Sequence, residues 1–560
     1  MNDKCSMMKL DLLLKNCLVI DGTGNPWYEA DIGVDDGRIA QIRRGIKAGA
    51  KTLLDLSGLV LCPGFIDPHS HSDRTLFIQR RAASALRQGI TTQAIGNCGF
   101  SCAPVTDRNR KYLQSRIAQA NHLKPEEIKI NWRSMRQYLG KLRQGMGTNA
   151  VPLVGHGVVR MAVLGPEGKG GQKTKISSKE LEHMKELVRG AMNDGARGLS
   201  SGLTYAPGRN ASTEELIELC NVVREYDGFY FTHCRDEGDV VVEAYREAVR
   251  IAREANVSVN IAHHKSWGRP NWGKVRQTLA IIESARREGL DVTCDVYPYP
   301  RAGVGSVADR LMSYTQFNDL QDFLKHISDL AEFQKLRRQI ERNLDLQRRA
   351  DEARRRALKA VRVAWPKFNV PGYAVIVYSK THPEFLDMNL AEIAKAMGKD
   401  WITAARQLAI DDEGVTRMAG FMTEEDVRTV IKHPISMIGT DAVSSDEPPK
   451  DPLIAMHPRT YGTYPRVLEK YVRKENLLSL PEAIRKMTSL PAHALHLRDR
   501  GLIAVGMHAD LVAFDQEKVR ETGTFANPAS YPKGIQHVMV NGVLAVRDET
   551  LTGALAGRVL

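Results

Sequence analysis

The sequence predicts an α/β protein built on a (β/α)8 TIM-like barrel, with a small β-sandwich formed by the N- and C-terminal segments. Two observations lead to this prediction. Through the middle of the chain, short apolar segments alternate with amphipathic helical patterns, which is typical of a parallel sheet. About sixty residues at each end instead form short strand-like stretches separated by Asp-Gly or Asn-Gly turns, as hairpins do.

Length and composition exclude several classes of protein. The chain has 560 residues, of which 42% are hydrophobic and 26% charged, so collagen, a coiled coil and wholesale disorder are excluded. No stretch approaches the ~20 apolar residues that a membrane-spanning helix needs. Asp11 and Lys15 interrupt the apolar run near the beginning, so we expect no export signal and a cytoplasmic protein. The eight cysteines include no CxxC pair, and we expect reduced thiols.

One helical pattern breaks the alternation of the barrel and is unusually basic. Residues 331–365 contain eleven Lys and Arg against five Asp and Glu. This excess of positive residues is nearly half of the formal net charge of +13. We expect a helical insertion near the site, including the run Arg354–Arg356. The predicted segments are residues 1–60 (first half of the sandwich), 61–305 (first part of the barrel), 306–368 (basic helical insertion), 369–497 (second part of the barrel) and 498–560 (second half of the sandwich).

Residues that bind metals stand at the ends of successive predicted barrel strands. His69 and His71 alternate at the end of the first strand, so both imidazoles point to the same side. The carboxyl ends of parallel barrel strands converge on one mouth, where barrel enzymes have their sites. Thiolate and imidazole suit Zn²⁺ better than Mg²⁺ or Ca²⁺. The pattern therefore predicts a metal-dependent barrel whose site gathers His69, His71, Cys98, His233, His263 and Asp441.

Several motifs together make the sequence similar to one family. They are PGFIDPHSHSD, ITTQAIGNCGFS, GARGLSSGLTYAPG, THCRDEG, AHHKSWG, GTDA and HPRTYGTYPR, followed by GLIAVGMHADLVAFD and VNGVLAVRDETLTG near the end. With them the chain resembles the N-acyl-D-amino-acid deacylases (D-aminoacylases) of the amidohydrolase superfamily. The resemblance extends from Leu10 to Leu560 except in the basic helical region, which takes the place of a smaller domain that covers the site in the family.

The resemblance implies how the metal ligands are divided. A tightly bound zinc ion would be held by Cys98, His233 and His263. A second, weaker metal site would use His69 and His71 and would share the Cys98 thiolate. Many members of the superfamily bridge two metals with a carboxylated lysine, and here the cysteine takes that place.

The resemblance also implies a reaction and a set of substrate contacts. A small-molecule N-acyl-D-amino acid would be hydrolysed at its linear amide to a carboxylate and a free D-amino acid. Asp441 would accept a proton from the metal-activated water and pass it to the leaving amine. Lys265 and Arg459 would bind the α-carboxylate together with a strand-end tyrosine, for which Tyr297 and Tyr299 are both candidates.

Other functions fit parts of the same pattern. A cyclic-amide hydrolase resembling hydantoinases and dihydroorotases would use a similar site, although the Cys98 position argues against it. A dipeptidase acting on a D-residue or an isopeptide bond would use identical carbonyl chemistry. A metal-free scaffold barrel would be expected to lose ligands that are all present here. Nucleic-acid binding through the basic helices lacks an aromatic stacking platform in the sequence, so we expect neither a nucleic-acid nor a membrane partner.

Overall fold

The computed structural model describes most of the chain, namely residues 10–166, 173–317, 319–360, 372, 374–449, 454 and 456–560. The first nine residues and the end of the predicted insertion, 361–368, lie outside the described residues. The side chains of the run Arg354–Arg356 lie outside them as well. None of the described helices is both long enough and apolar enough to cross a bilayer.

The described residues contain twenty strands, which belong to three sheets. In chain order they are β1 Leu10–Val19, β2 Tyr28–Asp35, β3 Arg38–Arg43, β4 Ala50–Asp55, β5 Val60–Pro63, β6 Phe65–Ser70, β7 Ile90–Ile95, β8 Asn149–Gly155, β9 Gly198–Gly202, β10 Phe229–His233, β11 Ser258–Ile261, β12 Val292–Val296, β13 Arg301–Ser306, β14 Ala374–Tyr378, β15 Arg417–Phe421, β16 Ser436–Ile438, β17 Leu511–Phe514, β18 Ile535–Val540, β19 Val543–Arg547 and β20 Thr550–Leu551.

The described residues also contain seventeen α-helices, most of which connect the barrel strands. They are α1 Ala83–Leu86, α2 Arg110–Asn121, α3 Met135–Leu142, α4 His156–Leu164, α5 Ser178–Asn193, α6 Thr213–Arg224, α7 Val241–Ala255, α8 Val275–Arg287, α9 Val307–Met312, α10 Leu320–Ser328, α11 Leu330–Ala360, α12 Leu390–Ala396, α13 Trp401–Asp411, α14 Glu424–Lys432, α15 Arg459–Arg466, α16 Leu480–Met487 and α17 Ser489–Ala494.

Local sequence accounts for where these helices begin and which face they bury. α5 starts with a capping box in which the Ser177 hydroxyl accepts from the backbone of Glu180 and the Glu180 carboxylate accepts in return. In α7 the buried side chains recur every three or four residues, as in Val241, Tyr245 and Ala248. The helix therefore packs one apolar stripe against the barrel and leaves its charged side in water.

Eight parallel strands form the predicted barrel. Their order is β6-β7-β8-β9-β10-β11-β12-β16, and all neighbours run parallel. The ring closes between its first and last strands, where Ser70 and Ala442 form a parallel bridge. There the Asp441 N–H donates to the His69 carbonyl at 2.8 Å. The (β/α)8 prediction is confirmed, and closure itself brings two predicted site residues together.

The two ends of the chain join in one mixed sheet, as predicted. β1 to β5 and β17 to β20 form a nine-stranded sheet in which β5 pairs antiparallel with β17. Alternate side chains from both ends meet in a shared apolar core that includes Leu14, Ile32, Leu61, Leu511 and Met539. The sheet thus depends on segments about 450 residues apart in the chain.

The insertion is larger than the predicted 306–368. β13, β14 and β15 form a separate antiparallel sheet, and α9 to α13 pack on it around a core of their own that includes Val307, Phe323, Ile340 and Leu408. Residues 374–421, which the sequence analysis assigned to the second part of the barrel, therefore belong to the insertion. The predicted boundary was wrong because apolar periodicity identifies a strand but does not say which sheet it joins.

A buried ion pair anchors the terminal sheet to the barrel. The Asp510 carboxylate pairs with Arg500 and accepts from the Asn541 N–H at 2.6 Å and from the Asn149 amide at 3.0 Å. Asn149 begins barrel strand β8, whereas Asp510 immediately precedes β17 of the terminal sheet. Asp510 and Arg500 are 4% and 3% exposed, so the two charges depend on each other.

We expect Asp510→Ala to destabilise the protein strongly, by about 3–5 kcal/mol, because Arg500 would remain buried without its partner. The measurement is the thermal unfolding midpoint by calorimetry. The matched control is Glu29→Ala, which removes the exposed partner of Arg44 and should cost less than about 1 kcal/mol. Equal midpoint shifts for the two variants would contradict the role assigned to the buried pair.

Candidate metal centre

The predicted metal ligands and Asp441 all lie at the mouth formed by the carboxyl ends of the barrel strands. His69 lies within β6 and His233 ends β10, and the remaining residues follow the ends of β6, β7, β11 and β16 directly. Parallel strands direct their carboxyl ends to one side of the barrel, so residues from five strands meet there. Those that the structure brings together are His69, His71, Cys98, His233, His263 and Asp441.

The Cys98 sulfur lies at the centre of three imidazoles. Its Sγ atom is 3.3 Å from His69 Nε2, 3.5 Å from His263 Nε2 and 3.7 Å from His233 Nδ1. All four side chains are buried. The structure thus supports the predicted group of one thiol and three histidines, while His71 lies one step outward and contacts Asp441 instead.

Electrostatics favours the thiolate form of Cys98. Burial alone would raise the pKa of this thiol, but the neighbouring His69 and His263 hold it well below its usual range. One donor atom from each of His69, Cys98, His263 and Asp441 lies within 4.8 Å of the others. A thiolate, imidazoles and a carboxylate in this arrangement fit a zinc ion.

Asp441 is held as a carboxylate by the groups around it. Its Oδ1 atom is 3.1 Å from His71 Nε2, and its Oδ2 atom is 2.8 Å from Arg459 Nη1. Burial alone would raise the pKa of Asp441, but Arg459 and the histidines hold it well below its usual range. The side chain is therefore ionised, as a proton acceptor must be, at the mouth of the barrel.

Three of these residues adopt the left-handed backbone conformation. The φ angles of Cys98, His263 and Asp441 are 54°, 37° and 48°. For residues other than glycine this conformation costs of order 1–2 kcal/mol each, and it persists where surrounding contacts impose it. It turns each side chain from the end of its strand toward the shared centre.

Two carboxylates that the sequence analysis missed position the histidines. Asp295 accepts from the His263 N–H at 2.8 Å and lies 3.4 Å from His69 Nδ1. Asp67 accepts from the His69 N–H at 3.0 Å and from the Thr440 hydroxyl at 2.6 Å. Both lie in or at the end of barrel strands, and that position was the available signal. Carboxylates beside metal-binding histidines fix the orientation of the ring.

Glu237, also missed, connects the metal centre to a predicted substrate-binding residue. Its carboxylate lies 2.9 Å from His263 Nδ1 and 3.5 Å from His233 Nε2, and it pairs with Lys265. Glu237 follows His233 by four residues in a loop, where no strand-end pattern marked it. Lys265 is thereby held beside the histidines at the wall of the cavity.

A cavity of about 650 Å³ opens above this centre. Lys265, Arg459 and Tyr297 all line it, and both cations lie against the Tyr297 ring, at 5.4 and 4.7 Å from its centroid. The Tyr297 hydroxyl is buried and has no hydrogen-bond partner among the described residues. Together the three groups can bind a carboxylate.

The structure separates the two tyrosine candidates. Tyr299 does not line the cavity: its hydroxyl donates to Glu521 at 2.6 Å, and Arg466 lies over its ring. The candidate role of Tyr299 in substrate binding was therefore wrong, because Glu521, near the end of the chain, draws its hydroxyl away from the mouth. This contact joins residues 222 apart in the sequence, so no local pattern could reveal it.

The insertion forms part of the cavity wall. Ala302, Gly303 and Val304 of β13 and Gly420 of β15 line it, beside Trp267 from the barrel. The predicted location of the insertion near the site is therefore correct. The contributing residues come from the insertion's sheet, which lies between its helices and the mouth of the barrel.

Comparison with known proteins extends across nearly the whole chain. The sequence profile of the amidohydrolase family matches residues 52–546. A D-aminoacylase and an N-acyl-D-glutamate deacylase from Alcaligenes xylosoxydans xylosoxydans are each 34% identical, covering 98% and 99% of this chain and 97% and 96% of the relative. A crystal structure of an N-acyl-D-glutamate deacylase from Bordetella bronchiseptica is also similar, with a TM-score of 0.74 and 30% identity over 99% of both chains. That structure is a complex with zinc and a phosphonate that mimics the tetrahedral intermediate of the reaction.

We expect Cys98→Ser to weaken zinc binding by at least about 100-fold. Mutating a residue that only orients a metal ligand costs up to about 100-fold in affinity, and the loss of a ligand should cost at least as much. A buried hydroxyl does not ionise as the thiol does. The measurement is zinc per chain after desalting, together with the sulfur-to-cobalt charge-transfer band of the cobalt-loaded protein. Cys102→Ser is the matched control, since its hydroxyl can keep the contact to the Asp73 carbonyl. Full zinc occupancy in Cys98→Ser would refute the assignment.

Proposed function

The chain belongs to the N-acyl-D-amino-acid deacylase family of the amidohydrolase superfamily, and on this premise we propose that it is a zinc-dependent deacylase of N-acyl-D-amino acids. It hydrolyses the linear amide to a carboxylate and a free D-amino acid. The observation that supports this most directly is the buried Cys98 sulfur among His69, His233 and His263, the last two of which line the cavity.

The family membership and the cluster around Cys98 support the division of metal ligands predicted from the sequence. Cys98, His233 and His263 would hold one zinc ion tightly, and His69 and His71 would form a second, weaker site that shares the thiolate. When bound, zinc lowers the pKa of a water molecule and polarises the amide carbonyl. The protein side chains supply the proton transfers and the binding of the substrate.

Asp441 acts as the general base and then as the general acid. Its carboxylate accepts a proton from the attacking water, because Arg459 and the histidines keep it ionised. As the C–N bond breaks, Asp441 delivers this proton to the leaving nitrogen. Its backbone contact with His69 fixes the carboxylate between the metal ligands and the cavity.

The α-carboxylate of the amino acid binds to Lys265, Arg459 and Tyr297. Lys265 supplies a point charge held by Glu237, whereas the Arg459 guanidinium can bind a carboxylate through two parallel hydrogen bonds. The Tyr297 hydroxyl donates a further hydrogen bond. This anchoring places the scissile amide above Cys98.

The ligand set also bears on the alternative hydrolases. At the cavity wall, Lys265 contacts Glu237 and His263 and does not contact Cys98. It therefore does not take the place of a carboxylated lysine that bridges two metals. This disfavours a cyclic-amide hydrolase of the hydantoinase type. A complete set of ligands likewise disfavours a scaffold barrel without a metal.

We expect the zinc-loaded protein to release amine from N-acetyl-D-methionine or N-acetyl-D-glutamate and not from N-acetyl-L-methionine. Asp441→Asn should lower kcat by about 10²–10⁴, because the amide cannot accept the proton from water. Amine release is measured by a ninhydrin or coupled assay, with bound zinc determined in parallel. Asp548→Asn, at an exposed position, is the control. Equal turnover of the L substrate, or an unaffected Asp441→Asn, would refute the proposal.

The two tyrosines provide a matched pair of variants. Tyr297→Phe should raise KM for N-acetyl-D-methionine about 5- to 10-fold with little change in kcat, because one hydrogen bond to the carboxylate is lost. Tyr299→Phe removes one of two side-chain donors to Glu521, the other being Arg466, and should lower the thermal midpoint without raising KM. Steady-state kinetics and calorimetry on both variants check this. A rise in KM in Tyr299→Phe alone would reverse the assignment.

A further inference from the structure

A second basic region lines the same cavity, on the far side of the mouth from Lys265. We define the Arg74 patch as Arg74, Arg116, Gln119 and His122; all but Arg116 line the cavity, and Arg116 donates to Gln119. Most of the patch lies on or next to α2, which follows β7. In the ring of eight strands β7 is four strands from β11, which precedes Lys265, and β6, which precedes Arg74, is three strands from it, so the patch lies on the far side of the mouth from Lys265.

The Arg74 guanidinium has no carboxylate partner. It forms no ion pair with a described residue, and its Nε atom is buried without a hydrogen-bond partner. The adjacent Asp73 carboxylate accepts from the Cys102 thiol instead. Burial and the nearby Arg116 lower the pKa of Arg74, and the Asp73 carboxylate, which acts on it without forming an ion pair, opposes this effect only in part. A half-buried cation that lines a cavity and has no ion-pair partner can bind an anion there.

The dimensions of the cavity leave room for an extended substrate. Its volume of about 650 Å³ lies in the range of pockets that enclose drug-sized ligands, about 300–1,000 Å³, and so exceeds what an acetyl group requires. With the α-carboxylate at Lys265 and Tyr297 and the amide above Cys98, the acyl chain extends toward the opposite wall. The group that it meets there is Arg74.

We propose that Arg74, assisted by Arg116, binds a terminal anionic group on the acyl chain, so that the preferred substrates carry a dicarboxylic acyl group such as succinyl. This inference rests on the proposed deacylase function and deepens it. Water then converts N-succinyl-D-methionine to succinate and D-methionine. A guanidinium suits the role because it binds a carboxylate through two parallel hydrogen bonds.

The test compares kcat/KM of the zinc-loaded, full-length protein for N-succinyl-D-methionine and N-butanoyl-D-methionine, which have acyl chains of equal length. We expect the succinyl substrate to be preferred at least tenfold. Arg74→Gln should reduce this preference to near one, mainly through KM, and Arg74→Lys should retain part of it. Arg80→Gln, whose guanidinium donates to Gln144 instead, is the matched control and should keep the preference.

Equal kcat/KM for the two substrates in the unaltered protein would overturn the inference. Arg74→Gln lowering both substrates by the same factor would overturn it too, since that result indicates a structural role. If Arg74→Gln instead abolishes a preference for N-acetyl-D-glutamate over N-acetyl-D-glutamine, the anion belongs to the amino-acid side chain and the acyl assignment is wrong.

A binding experiment separates this inference from the proposed function. Calorimetry measures the affinity of zinc-loaded Asp441→Asn for N-succinyl-D-methionine, with and without Arg74→Gln. A loss of affinity of at least tenfold that depends on Arg74, and that is absent for N-butanoyl-D-methionine, supports the anion site even if no N-acyl-D-amino acid is turned over. Affinities that do not depend on Arg74 overturn the inference whatever the turnover.

Discussion

The site depends on a negatively charged sulfur buried among imidazoles. A thiolate in a low-dielectric interior is costly unless positive charge or a metal lies beside it, and Cys98 has three ring nitrogens within 3.7 Å. The carboxylates of Asp295 and Glu237 in turn fix the orientation of the rings. The imidazoles therefore stabilise the negative sulfur, and the carboxylates around them stabilise the imidazoles.

This arrangement requires a backbone that is held rigidly in place. Cys98, His263 and Asp441 come from three different barrel strands, and each has the unfavourable left-handed conformation. Closure of the barrel, together with Asp67 binding to both Thr440 and the backbone of His69, holds the first and last strands in register. The stability of the barrel thus offsets the local strain that brings the side chains together.

The insertion has a different physical role. Its own apolar core lets it fold on the barrel as a separate layer, and only its sheet lines the cavity. In the described part of its basic helix, Arg337 pairs with Glu341 and Asp400, and Arg349 pairs with Asp345. These ion pairs are typical of a solvated helix face. Arg74, which lines the cavity, has no ion-pair partner among the described residues.

The sequence by itself determined the barrel and the joining of the two ends, and it predicted the cysteine and the histidines that the structure brings together. These features can be predicted from the pattern of a single strand. Alternation along the strand gives the direction of the His69 side chain, and the ends of strands give the positions of Cys98 and Asp441. Only the tertiary structure decided between Tyr297 and Tyr299, revealed Glu237, Asp295 and Arg74 as parts of the site, and extended the insertion to β15. The physical reason is that these features depend on contacts between side chains from different strands, sheets and loops, which the periodicity of a single segment does not encode.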